Sequence, residues 1–154
     1  MIQRIQTLYL LLVTALMTLT LFLPIASFTG DNSEVYTLTA FALTGGGASQ
    51  SSIWLGIILA IATAVPFVTI FLFKNRLLQL RLCIVEVILL LGATAFVAIY
   101  FWLSSANALE DIGVAHRQFS WAAIMPVVSI IITVLAARAI FKDEALVRSL
   151  DRIR

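Results

Sequence analysis

The chain has 154 residues, of which 62% are hydrophobic and 12% are charged, and its net charge at pH 7 is +2. A soluble domain has roughly 45–50% apolar and about 25% charged residues, and at this size it still exposes roughly a third of its unfolded surface. These values exclude a soluble globular domain. So small a net charge does not indicate binding to nucleic acid, and we expect the lipid bilayer to surround most of the chain.

Four uncharged stretches are each long enough to cross a membrane. A crossing helix needs about 20 apolar residues, and lipid forces each stretch to satisfy its own backbone hydrogen bonds. The sequence therefore predicts an all-α integral membrane protein, a four-transmembrane-helix bundle with helices over residues 5–26, 53–73, 82–103 and 121–141. The first apolar run is longer than the 7–15 residues or so of a secretion signal, so we expect an uncleaved helix.

The basic residues predict how the chain is threaded. With the N-terminus inside, nine of the ten lysines and arginines fall at the cytoplasmic face, and Arg117 alone falls outside. The positive-inside rule then predicts an N-in/C-in protein with both termini cytoplasmic. Residues 27–52 and 104–120 become outer loops, and residues 74–81 become an inner loop. Trp54, Trp102 and Trp121 lie at the outer helix ends, as in an aromatic belt.

The first outer loop contains a stretch rich in β-forming residues, 34–44. This pattern predicts a short β segment, a strand or hairpin on the membrane surface, and the alternative is an apolar segment that dips into the interface. In either case we expect an outer contact segment formed by Val35, Tyr36, Leu38 and Phe41.

Two ionisable residues lie inside predicted spans at matching depth, Glu86 in the third and Arg138 in the fourth. Because charge exposed to lipid costs several kcal/mol, such residues normally face the protein interior and pair. We expect a structural ion pair between Glu86 and Arg138, with Arg81 as a competing partner. The functional alternative is that Glu86 relays protons or binds a cation.

Small residues recur at four-residue spacing in the second and fourth spans. Such stripes let helices approach closely, within the bundle or between copies in a homo-oligomer. Pro66 removes one hydrogen bond in the second span and should bend it, as a static kink or as a hinge. The small residues predicted to pack between helices are Gly56, Ala60, Ala64, Ser129, Thr133 and Ala137.

The C-terminal residues 142–154 predict a short cytoplasmic amphipathic tail. Its apolar residues recur at helical spacing among charged ones, and such a helix lies at the headgroups or binds a partner. The residues predicted to bind the partner are Leu146, Val147, Leu150 and Ile153.

The sequence offers little for catalysis. Cys83 is a lone cysteine, so a dithiol relay is excluded, and His116 is a lone histidine, whereas a transition-metal site usually needs several nitrogen or sulfur ligands. Gly45-Gly46-Gly47 is not followed by the lysine of a phosphate-binding loop. We predict no catalytic residue, no cofactor and no metal site.

Three segments carry a family resemblance. These are the opening Met1-Ile2-Gln3-Arg4-Ile5-Gln6-Thr7-Leu8-Tyr9-Leu10, the turn Phe73-Lys74-Asn75-Arg76 with Leu80-Arg81-Leu82-Cys83, and the ending Asp143-Glu144-Ala145-Leu146-Val147-Arg148-Ser149-Leu150-Asp151-Arg152. Together they resemble the uncharacterised bacterial membrane proteins grouped as domain-of-unknown-function family 4293. The resemblance covers essentially the whole chain and implies a multi-pass bacterial inner-membrane protein with four spans. It implies no activity.

The expected function is that of a non-catalytic accessory or scaffold subunit of a membrane protein assembly. Its partners would be the lipid bilayer and a membrane or cytoplasmic protein at the inner face, with no nucleic acid. The alternative is a small transporter or channel subunit that uses Glu86 and the bend at Pro66.

Overall fold

Four long helices dominate the computed structural model, which describes residues 3–30, 34–45, 48–72, 75–107 and 114–151. Each helix contains a stretch long and apolar enough to cross a membrane. The helices are α1 (Gln3–Phe22), α2 (Ile53–Phe71), α3 (Arg76–Asn107) and α4 (Met125–Asp151), and a short 3₁₀ helix, Trp121–Ala123, precedes α4.

The four helices form a closed ring in chain order, in which α4 packs against both α3 and α1. Apolar side chains from the ring fill its middle, among them Val13, Met17, Leu59 and Leu90, all fully buried. A second set near the beginning of α1 contains Leu10, Cys83 and Ile140. Many large apolar side chains on the outside of the ring are exposed, as expected for helices that face lipid.

The helix ends differ from the predicted spans. Helix α1 stops at Phe22 because Pro24 has no N–H and disfavours helical geometry in the residue before it; Ala26 belongs to a strand instead. Helix α3 begins at Arg76, so most of the predicted inner loop is helical. Helix α4 continues to Asp151. The described part of the predicted separate tail, residues 142–151, therefore forms the last turns of α4. Charged residues limit the apolar span but do not interrupt a helix.

A five-stranded antiparallel sheet covers one end of the bundle. It is larger than the single strand or hairpin predicted. Its strands are β1 (Ala26–Gly30), β2 (Val35–Leu38), β3 (Ala42–Gly45), β4 (Ala48–Ser51) and β5 (Val114–Phe119), in the order β4-β3-β2-β1-β5. We call this end of the bundle the sheet end. The opposite end, where α1 begins and α4 finishes, is the tail end.

A turn divides the predicted β segment 34–44 into two strands. Thr39 closes this turn with its backbone N–H and its hydroxyl, which both donate to the Ala42 carbonyl, at 2.9 and 2.8 Å. Beyond the turn, Phe41 lies over Gly56 of α2, where an added Cβ would come within 2.5 Å of the Phe41 ring. The missing side chain at Gly56 therefore lets the sheet sit directly on α2.

Candidate functional site

The strand β5 forms an edge of the sheet. It pairs on one side with β1, with Ser27 opposite Gln118 and Phe28 opposite Arg117, and it is the last strand in the order within the described part of the chain. The Ser120 N–H donates to the Ile25 carbonyl at 3.0 Å just beyond this pairing. Since hydrogen-bonded pairs alternate along an antiparallel ladder, the backbone of Gln118 bonds β1, and the N–H and C=O of Arg117 point to the open edge.

The side chains of β5 divide between the two faces of the sheet. Arg117 and Phe119 lie opposite the buried residues Phe28 and Ala26, so they are on the face towards the bundle. The Arg117 guanidinium carbon lies 5.9 Å from the centre of the Trp102 ring, within the range of a cation–π contact. His116 and Gln118 are exposed on the opposite face. One face of β5 thus contacts the bundle, and the side chains on its other face are exposed.

The face of the sheet that points away from the bundle, which we call the outer face, is also polar in β1 and β2. His116 and Gln118 lie opposite Thr29 and Ser27 of β1, and Ser27 lies opposite Thr37 of β2. The Thr37 and Thr44 hydroxyls lie 3.2 Å apart between β2 and β3. A face of hydroxyl, amide and imidazole groups is suited to water or a polar partner, since such groups lose affinity for a purely apolar one.

Only two of the four residues of the predicted outer contact segment are exposed. Val35 and Phe41 are exposed, whereas Tyr36 and Leu38 are buried against the end of the bundle. The prediction of Tyr36 and Leu38 as contact residues is therefore wrong. Alternation in a strand sends neighbouring side chains to opposite faces, and the sheet places Tyr36 and Leu38 on its bundle face, beside Phe101 of α3.

The hydroxyl of Tyr36 reaches the rim of the sheet. It donates a hydrogen bond of 3.0 Å to the Glu34 carboxylate. Burial raises the pKa of Tyr36, and the hydrogen bond to Glu34 and its negative charge raise it further. This pair fixes the beginning of β2, where the predicted β segment starts.

The interior of the bundle contains one carboxyl group among the described residues, that of Glu86. Its side chain is 1% exposed, and both of its oxygens lack a hydrogen-bond partner in the described part of the chain. The predicted ion pair with Arg138 or Arg81 is not formed, because both arginines lie at exposed positions while Glu86 faces inward. Position along two helices does not determine which faces their side chains occupy.

A backbone carbonyl lies at the depth of Glu86 on the neighbouring helix. The Gln79 side-chain amide donates to the Thr69 carbonyl at 3.0 Å and so fixes α3 against α2. Seven residues further along each antiparallel helix, about 10 Å, lie Glu86 and Ala62, both buried. Pro66 supplies no N–H to the Ala62 carbonyl, so this carbonyl lacks its usual helical donor at about the level of the Glu86 carboxyl group.

The two predicted stripes of small residues differ in what they contact. On α4, Ser129 and Thr133 are fully buried and Ala137 packs against the core near the tail end. On α2, Gly56 is covered by the sheet, and Ala60 and Ala64 are exposed. The α4 stripe therefore packs inside the bundle, while Ala60 and Ala64 do not pack between helices of this chain.

At the tail end, an ion pair joins α3 to α4. Arg76 Nη1 lies 2.9 Å from Asp143 Oδ2, an ion pair by distance whose alignment is not that of a hydrogen bond. Leu146 and Val147 of the predicted partner-binding set are exposed. The Leu150 side chain and Ile153 lie outside the described residues.

No group of three or more His, Cys, Asp or Glu side chains that could hold a metal ion occurs in the ranges that the structure describes. A family described as a domain of unknown function, DUF4293, matches residues 2–153. No curated protein matches the chain.

Proposed function

The chain belongs to the DUF4293 family, and from its geometry we propose that it is a non-catalytic accessory or scaffold subunit of a membrane protein assembly. The bundle would anchor the protein in the bilayer. The sheet would bind an extended segment of a partner protein at the open edge of β5.

The observation that carries this proposal is the outward backbone of β5, which pairs with no second strand in the described part of the chain. An edge strand with unpaired N–H and C=O groups accepts another strand readily, and proteins use this mode to bind extended peptides. The edge strand is also constrained, because residues 116–119 pair with β1 in continuous register, before a register shift at Ala115, and Phe119 stacks on Phe101. A constrained edge favours binding because less conformational entropy remains to be lost.

The proposal places the sheet outside the bacterial cytoplasmic membrane and both termini in the cytoplasm. Of the seven basic residues that the structure describes, Arg117 alone belongs to the sheet. The other six belong to the tail end or its approaches, namely Arg4, Arg76, Arg81, Arg138, Lys142 and Arg148. This asymmetry supports an N-in/C-in topology. The exposed side chains of Leu146 and Val147 would form a second contact with a membrane or cytoplasmic partner at the inner face.

Capture of the tagged full-length protein from its native membrane tests the proposal. Arg117→Pro removes the outward N–H without taking a hydrogen bond from β1, since proline is tolerated where an edge N–H faces solvent. Arg117→Ala removes the same side chain and keeps the N–H. We expect Arg117→Pro to lose a stoichiometric partner that Arg117→Ala retains.

Two controls complete this experiment. Gln118→Pro breaks the pairing with β1 and should disrupt the sheet. Its melting temperature therefore serves as the reference for a variant whose sheet does not fold. Truncation after Phe141 removes the contact at the tail end. A partner lost on truncation and retained by Arg117→Pro would place the binding surface at the tail end and contradict the proposal.

A second function is supported by Glu86, namely a small transporter or channel subunit. Its support is the buried carboxyl group, which has no hydrogen-bond partner among the described residues. Ionisable residues inside a membrane bundle commonly mark ion or proton paths. The test is Glu86→Gln in cells with a transport phenotype. Loss of transport with unchanged assembly would favour this second function over the scaffold.

A further inference from the structure

An apolar groove opens between α3 and α4 in the half of the bundle nearer the tail end. It has a volume of about 820 Å³, within the range of roughly 300–1,000 Å³ typical of small-molecule sites. One wall contains Ile84 and Ile88 of α3, and the other contains Leu135 and Phe141 of α4, while Tyr9 of α1 contributes to the lining.

The length of the groove matches one leaflet of a membrane. Its lining on α4 runs from Val134 to Lys142, and on α3 from Leu80 to Ile88. Eight residues of helix rise about 12 Å, close to half of a hydrocarbon core of about 30 Å. The groove therefore extends from the middle of the bundle to the surface at the tail end, as a single acyl chain does.

The groove is uncharged in its half nearer the sheet end and basic from its middle to the tail end. Arg138 and Lys142, one turn apart on α4, line the groove, and no acidic residue of the described ranges does. Both are exposed, and within the described ranges neither forms an ion pair. Arginine and lysine in this position extend along the helix towards the headgroups and bind phosphate.

We propose that this groove binds one anionic phospholipid. An acyl chain lies along the seam between α3 and α4, and the phosphate contacts Arg138 and Lys142. A groove that is apolar at one end and basic at the other complements a single lipid molecule, and basic pockets at the membrane surface bind anionic headgroups. Phosphate binding would give Arg138 a role, since its predicted ion pair with Glu86 is not formed.

The test measures lipid binding to the full-length protein in mild detergent. Phosphatidylglycerol and phosphatidylcholine with the same acyl chains are titrated, and bound lipid is counted by native mass spectrometry together with the shift in melting temperature. We expect at least tenfold tighter binding of phosphatidylglycerol. The double variant Arg138→Gln/Lys142→Gln should lose this preference.

Arg81→Gln is the matched control. It removes an exposed arginine at the same end that does not line the groove, and it should keep the full preference. Ala139→Phe fills the groove and leaves both cations in place, so it should weaken binding of both lipids. Unchanged melting temperatures in the absence of lipid show that these variants fold.

Three results would overturn the proposal. An equal loss of the preference for phosphatidylglycerol in Arg81→Gln would show that the net charge of the protein alone attracts the lipid. Displacement of the lipid by millimolar inorganic phosphate would show a simple anion site. A disulfide-linked dimer formed through Ile84→Cys in a Cys83→Ala background would show that a second copy of the chain occupies the groove.

Discussion

The rings of Phe101 and Phe119 stack with their centroids 3.7 Å apart and their planes inclined by 20°. Phe101 belongs to the sheet end of α3, and Phe119 is the last residue of β5. Phe28 of β1 touches the same Phe101 ring at a centroid distance of 5.4 Å. The Phe101 side chain of α3 thus contacts both the edge strand β5 and its neighbour β1.

Phe119→Ala should loosen β5 while the bundle stays folded. Aromatic pairs contribute about 0.5–1.5 kcal/mol beyond the area they bury, and the stack on Phe101 would be lost. Hydrogen exchange at residues 114–119 is the measurement, and it should become faster. The control is Trp121→Ala, because Trp121 is 84% exposed; equal exchange in the two variants would contradict a stabilising stack.

Gly56→Ala should displace the Phe41 ring and destabilise the junction between the sheet and α2. The added Cβ would lie 2.5 Å from that ring and 3.0 Å from the Ala40 carbonyl, closer than atoms pack. The free energy of unfolding should therefore fall, and Phe41→Ala should restore part of the loss in the double variant.

Gly92→Ala is the matched substitution, since an added Cβ at Gly92 meets nothing within 4 Å. Alanine is more favourable than glycine in a helix by about 1 kcal/mol, so Gly92→Ala should be neutral or stabilising in the same detergent melts. A Gly56→Ala protein as stable as Gly92→Ala would show that the sheet does not rest on α2.

The sequence was sufficient for the helices and much less so for the sheet. Continuous apolar runs locate the helices because lipid admits few other structures. The strand β5 was missed because His116, Arg117 and Gln118 are all polar, as in a loop, and its pairing with β1 is remote in sequence. Long-range pairing leaves no local periodicity to read.

The site residues show a similar division. The buried stripe with Ser129 and Thr133 was predicted from spacing alone, because spacing determines which residues share a helix face. The Glu86 ion pair was not formed, because the rotation of α3 and α4 sets Glu86 inward and Arg138 outward. That rotation depends on packing of the whole ring, which no single helix encodes.

Glu86→Met should raise the stability of the bundle. A buried polar group without a partner costs about 1–3 kcal/mol, and methionine fills a similar space without polar oxygens. Gln79→Met is the contrasting variant, because Gln79 is buried and bonded to the Thr69 carbonyl, and it should lower stability. Melting temperatures that fall equally in both variants would show that Glu86 has a stabilising partner.

Glu34→Gln should lower the pKa of Tyr36. The Glu34 carboxylate accepts the Tyr36 hydrogen bond and opposes ionisation of the phenol. Ultraviolet titration of the variant, subtracted from that of the parent, isolates Tyr36 from the other two tyrosines. Because folding raises this pKa, the stability that burial and Glu34 give to the neutral phenol is fully present below the ordinary tyrosine pKa of about 10. It is lost as the pH rises from there through the raised pKa of the folded protein.

Photo-crosslinking from β5 in intact cells tests the central proposal most directly. A photoreactive phenylalanine analogue replaces Gln118, whose side chain is exposed on the face of the sheet away from the bundle. A second variant carries the analogue at Ile131, an exposed apolar position on α4. The proposal predicts one crosslinked protein partner from position 118, absent from position 131 and abolished by Arg117→Pro. A crosslink from position 118 that survives Arg117→Pro, or none at that position, would contradict strand addition at this edge.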